Sequence, residues 1–178
     1  MVRALAALAV LAGAIAVATL VAGDDGDGWQ EVTDATRRLR VAVPDDWDHV
    51  ATDPHEIAGR PRAYVEASPD QHAYRAGRDA PGLELLLVEG VSDLDALVAD
   101  VAERTGVVDD CRKRQGPAGV GDGIDAVVEV WEDCDGGGAI YLVALRHGVD
   151  ASVVGGIQSD DDELVERVLA GIEVVSGG

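Results

Sequence analysis

Residues 124–157, I-D-A-V-V-E-V-W-E-D-C-D-G-G-G-A-I-Y-L-V-A-L-R-H-G-V-D-A-S-V-V-G-G-I, decide the fold. Ile124–Glu132 and Ala139–Arg146 are apolar, β-branched runs on either side of Asp135-Gly136-Gly137-Gly138, the pattern of a hairpin. In the first run Ala126, Val128 and Val130 share one face, and Val127, Glu129 and Trp131 share the other. His147-Gly148-Val149-Asp150 then turns the chain into a third run, Ala151–Ile157. Three strands joined this closely predict an antiparallel meander.

Working outward, the next element after the meander is a helix. Ser159 stands as its cap, with Asp162 at the capping-box position. Leu164, Val165, Val168, Leu169 and Ile172 form its apolar stripe, and Glu173–Val175 leaves it as an extended tail. On the other side, Gly116–Gly123 reads as a flexible turn. Before it, Ser92–Thr105 reads as a helix capped by Ser92, with Asp93 and Asp95 at its positive end. Leu94, Leu97, Val98, Val101 and Ala102 give this helix one buried face, and Gly106 stops it. Leu83–Val88 is a strand in which Leu85, Leu86, Leu87 and Val88 run without a break, so both of its faces are expected to be covered.

Arg38–Val43 alternates as a strand closed by Pro44, Asp45-Asp46 turns, and Trp47 folds back as a core plug. Between them, residues 53–82 are the least regular stretch, with Pro54, Pro61, Pro69 and Pro81. Apart from a short strand over Ala63–Ala67, the stretch reads as a long surface loop. Trp29–Thr36 has no clear pattern. The elements add up to an α+β fold: a mostly antiparallel sheet with a mid-chain helix and a C-terminal helix.

Three of these features together resemble the PsbP-like fold, an α/β/α sandwich found in photosystem accessory proteins and in small secreted proteins and lipoproteins of bacteria. They are Val43-Pro44-Asp45-Asp46-Trp47, the helix after Ser92-Asp93-Leu94, and the meander followed by Glu163–Val174. The resemblance covers residues 36–175. It implies a non-enzymatic accessory or binding role, and it carries over no site residue.

The N-terminus addresses the compartment. Arg3 is followed by the uncharged run Ala4–Ala22 and then by Asp24-Asp25-Gly26-Asp27. Residues 1–23 therefore read as an export signal or a single membrane anchor, with Arg3 inside and the acidic side out. The length of the run, and Leu20 three positions before a cut at Ala22, favour an uncleaved anchor spanning residues 4–22. Its alanine richness makes insertion marginal. Residues 24–35 read as an acidic linker and 36–175 as one extracytoplasmic domain, placed in the cell membrane or secreted. Cys111 and Cys134, an even count in an exported chain, read as one disulfide.

Outside residues 1–23 the chain has 13 basic residues against 34 acidic ones, a formal charge of −21. That excludes nucleic acid as a partner, because phosphate neutralisation drives such binding. It disfavours anionic lipid surfaces and permits cationic partners or divalent metal. A GC-rich codon bias accounts for much of the Asp and Arg, and high charge alone keeps an exported domain soluble.

No catalytic, cofactor or metal set emerges. His55-Glu56 begins like a zincin motif, yet Gly59 stands where the second histidine is needed. His49, His55 and His72 with loop carboxylates could still form a site. There is no G-x-S-x-G nucleophile motif. Gly119-Val120-Gly121-Asp122-Gly123 precedes a strand instead of opening a helix, so it makes no phosphate loop. The acidic clusters Asp24-Asp25-Gly26-Asp27, Asp109-Asp110, Glu132-Asp133 with Asp135, and Asp160–Glu163 are candidate cation ligands, although Asp133-Cys134-Asp135-Gly136 lacks the bidentate Glu of a calcium loop. Arg112-Lys113-Arg114 suits an edge strand paired with local acids, or a docking patch.

The expected function is a non-catalytic, membrane-anchored accessory or binding module that meets an envelope protein or cell-wall component. The alternatives are a divalent-cation-binding module and an exported hydrolase with its site in residues 53–82.

Overall fold

The computed structural model describes residues 28–57, 59–76, 80–114, 125–134, 138–148 and 150–175. The expected export segment at 1–23, the Gly116–Gly123 turn and most of the 135–138 turn lie outside the described residues. Among the described residues no helix is long and apolar enough to cross a membrane.

In chain order the elements are β1 (Trp29–Thr33), β2 (Leu39–Pro44), β3 (His49–Ala51), β4 (His55–Ile57), β5 (Arg60–Arg62), β6 (Tyr64–Ser68), α1 (Gln71–Ala76), β7 (Gly82–Glu89), α2 (Leu94–Thr105), α3 (Val107–Asp110), β8 (Arg112–Lys113), β9 (Ala126–Glu132), β10 (Ile140–His147), β11 (Ala151–Gln158), α4 (Asp162–Ala170) and β12 (Glu173–Val174). The fold is α+β, rich in antiparallel sheet. A seven-stranded sheet runs in the order β3-β6-β7-β11-β10-β9-β8, a small sheet in the order β1-β2-β12, and β4-β5 form a separate hairpin.

The expected meander forms, with Val143 opposite Val128 on β9 and Gly155 on β11. β7 continues it by pairing along the whole of β11. Alternation then builds two apolar clusters. On one face Val65, Leu83, Leu85, Leu87, Tyr141, Val143, Leu145, Val153 and Ile157 meet Leu39, Val41 and Val43 of β2, Trp47, and Val165, Val168 and Leu169 of α4. Trp47 is a core residue, as its position after the turn suggests. On the other face Leu142, Ala144, Val154 and Trp131 meet Leu94, Val98 and Ala102 of α2 and Val107 of α3.

Four expectations need correction. Residues 53–82 are more than a loop: the expected short strand is β6, internal between β3 and β7, and the rest holds β4, β5 and α1. Trp29–Thr33, inside the expected 24–35 linker, is a strand paired with β2. Asp34, 1 % exposed, secures that pairing by accepting from the backbone N–H groups of Thr36, Arg38 and Leu39, each at 2.7 Å. The cap of α2 is Asp93, not Ser92: its carboxylate accepts from Ala96 N. The cap of α4 is Asp161, which accepts from Glu163 N and Leu164 N, while Ser159 Oγ accepts from Asp161 N at 3.0 Å. A carboxylate at the cap adds a favourable charge at the helix's positive end. Gly106 ends α2 in the left-handed conformation, as expected.

A candidate ligand cleft

α2 packs on β9, β10 and β11 but leaves the β6–β7 end of the same face unroofed. A cleft of about 590 Å³ opens there. Its floor is set by strand register. Glu66 on β6 lies opposite Glu84 on β7, Glu84 opposite Gly156 on β11, and Gly156 opposite Leu142 on β10. The neighbouring row runs Tyr64, Leu86, Val154. The rim comes from His55 and Ile57 of the β4–β5 hairpin, Tyr74 and Arg75 of α1, and Val101 and Arg104 of α2. Gly82 lets α1 close in: a Cβ there would stand 2.6 Å from the Tyr74 ring.

The two carboxylates differ sharply. Glu66 is 3 % exposed and fully engaged. Its Oε2 accepts from the Tyr64 hydroxyl (2.8 Å) and from Arg75 Nη2 (2.9 Å), and its Oε1 from Gln71 Nε2 (3.0 Å) and Arg75 Nε (2.9 Å). Burial works to raise its pKa, but the hydrogen bonds from Arg75, Gln71 and Tyr64 outweigh it and hold the group below the ordinary carboxylate value. Glu84 keeps contact with solvent and, among the described residues, accepts no hydrogen bond. Partial desolvation and then the neighbouring Glu66 charge push its pKa up, with His55 and Arg75 offsetting part of this. Burial, with the carboxylates nearby, raises the phenols of Tyr64 and Tyr74 well above the ordinary range.

The cations at the rim are already committed: Arg75 to Glu66, and Arg104 to Asp100 at 3.0 Å. The cleft therefore combines an apolar floor with one carboxylate lacking a cation of its own. Among the described residues its lining has no serine or cysteine. Thr105 Oγ1 is directed to the helix carbonyls of Val101 (2.9 Å) and Ala102 (3.3 Å).

The histidines named from sequence separate. His55 stacks at a tilt on Tyr64, centroids 5.3 Å apart, at the cleft rim. His49 is half exposed beside Asp48, and His72 lies exposed on α1. Among the described residues no group of three or more His, Cys, Asp or Glu is placed to hold a metal ion. Two of the acidic clusters, Glu132-Asp133 and Asp160–Glu163, serve local needs. Asp133 pairs with Arg112 (2.8 Å), Glu132 with Arg114 (3.2 Å), and Asp162 bonds the Tyr141 hydroxyl. That bond, after burial, pushes the Tyr141 phenol up to about 12. Arg112-Lys113-Arg114 lies at the edge strand β8 and pairs with the acids of β9, Lys113 meeting Glu129 at 2.5 Å.

Cys111 and Cys134 form the expected disulfide, joining the end of α3 to the loop after β9. Such a bond fits an oxidising, extracytoplasmic setting. Sequence reading missed Glu66, Glu84, Tyr74, Arg75 and Gly156. The available signal was a lone Glu inside each of two apolar runs, Tyr64-Val65-Glu66-Ala67 and Leu83-Glu84-Leu85. No family model, curated protein or solved structure matches the chain.

Proposed function

We propose that this chain is an exported, non-catalytic binding module of the cell envelope, held at the membrane through residues 4–22, whose open cleft receives its ligand. The fold we assign is the PsbP-like α/β/α sandwich. Supporting it are α2 on one face of the large sheet and, in the opposite apolar cluster, α4 together with the small sheet. The observation that carries the functional reading is the cleft itself: an apolar strip of Leu86, Leu142 and Val154 beside polar and charged groups, and no nucleophile–base pair among its described side chains. Glu132, Asp133, Asp161 and Asp162, engaged with the protein's own cations, a hydroxyl and a helix cap, favour this reading over a cation store.

The test exposes the full chain to cell-wall fragments, lipid headgroups and model esters. Cleft methyl NMR shifts and product formation are followed in the same samples. Shifts at Leu142 and Val154 with every compound recovered intact are expected. Turnover that disappears in His55→Ala would overturn the reading. So would a tagged chain found in the cytosolic fraction with both thiols free.

A further inference from the structure

We propose that the cleft takes an alkylammonium group, its charge on the Glu84 carboxylate and its aliphatic body on Leu86, Leu142 and Val154. The proposal rests on the binding-module reading and names the chemistry of its ligand. Three observations converge on it.

The first is shape. Across the sheet, Glu84 is followed by Gly156 and then Leu142. With no side chain at 156, the carboxylate looks over an apolar strip. A Cβ at that position would meet only Leu142 Cδ2, at 3.7 Å, so the space is available. Unbranched aliphatic chains fit such a strip, and the cleft volume falls in the range of small-molecule sites.

The second is charge. The charged groups around Glu84 are Glu66 on β6, His55 on β4, Arg75 on α1 and Arg104 on α2, with the phenols of Tyr64 and Tyr74 beside them. Arg75 is held in a two-nitrogen clamp on Glu66, and Arg104 pairs with its helix neighbour Asp100. Glu84 is the member left without a cation among the described residues. An anionic ligand would have to approach two carboxylates, whereas a cation completes the site.

The third is cost. Glu84 has no cation partner among the described residues, and partial desolvation together with the Glu66 charge disfavours its ionised form. An ammonium ion relieves that cost on binding, which strengthens its hydrogen bond to the group.

The experiment is a methyl NMR titration of the full chain in detergent micelles with three isosteric probes: butylammonium chloride, n-butanol and sodium butyrate. A tetrapeptide containing one lysine forms a fourth arm. Butylammonium is expected to shift the Leu86, Leu142 and Val154 methyls, with butanol much weaker and butyrate inert. In Glu84→Gln the butylammonium affinity falls about tenfold or more. In Gly156→Val the strip is filled and binding is lost. Tighter binding of the peptide identifies a partner's lysine as the source, and tighter binding of butylammonium identifies a free amine.

The proposal is overturned if butanol binds as well as butylammonium, if butyrate binds more tightly, or if Glu84→Gln binds butylammonium unchanged. Should no probe move the cleft methyls while a cell-wall fragment does, the ammonium assignment fails and the binding module stands. Turnover of an added compound would bring down both.

Discussion

Leu85 and Leu86 are adjacent on β7, yet they face different halves of the molecule. Leu85 is 0 % exposed among β2, Trp47 and α4, whereas Leu86 is half-buried on the wall of the cleft. The same alternation splits β6: Val65 and Ala67 enter the closed core, and Tyr64 and Glu66 enter the open side. One face of the sheet has spent its side chains on filling space. The other keeps a gap where α2 stops and carries polar groups into it. Closed core and open cleft are thus divided by the two-residue period of a strand.

The largest expected effect tests that division directly. Leu85→Ala should cost about 2–5 kcal/mol, because the site is packed on all sides and a cavity remains. Leu86→Ala should cost about 1 kcal/mol or less, since the cleft already admits water. Guanidinium unfolding of the two variants measures both. Equal costs would mean that the cleft face is as closed as the core, and the contrast would be lost.

Next comes the disulfide, which supports the α2 side. It closes a sequence separation of 23 residues. Chain entropy for such a loop gives about 3 kcal/mol. Cys134→Ser, or reduction of the parent, should lower stability by that amount in denaturant titration. A change near zero would show that α2 and α3 hold to the sheet without the bond.

Smaller again is Glu66→Ala. The substitution removes the acceptor for the Tyr64 hydroxyl, Gln71 and Arg75, so a loss of about 1–3 kcal/mol is expected in thermal unfolding. Glu66→Gln, which keeps two of these bonds, should lose less. If alanine and glutamine cost the same, α1 is not fastened through this carboxylate.

How much of this could be read from the chain follows the same line. The closed core was legible: β2, the meander, both long helices and Trp47 all announce themselves by period or punctuation, because one partner face decides each residue. Cys111 and Cys134 were legible from compartment and count. The cleft was not. The short strand at β6 was legible, but nothing local shows that Glu66 faces a cleft, and β4, β5 and α1 are brief elements among prolines and polar residues, where local propensity argues for a loop. Glu84 has no sequence neighbour that explains it. Its partners are Glu66 and Gly156, 18 residues before and 72 after, which only the register brings alongside. Even the caps slipped by one or two residues, where Asp93 and Asp161 offered a charge that the adjacent serines lack.

The smallest effect has the opposite sign and separates the two carboxylates. Glu66 is held below the ordinary value, so its contribution is present at neutral pH and lost as the pH falls through the carboxylate range. Glu84 is held above the ordinary value. Between its unfolded and folded pKa the native state binds the proton more tightly, and stability must decline as the pH rises through that window. Glu84→Gln removes the decline. The variant should match the parent at acid pH, then exceed it increasingly, reaching a plateau at neutral pH of less than about 1 kcal/mol given the group's solvent contact. Thermal unfolding of parent and variant across pH 4–8 reads this difference curve. A flat curve, or one that falls toward neutral pH, would show Glu84 to be as well accommodated as Glu66. The open face would then carry no unrelieved charge for a ligand to meet.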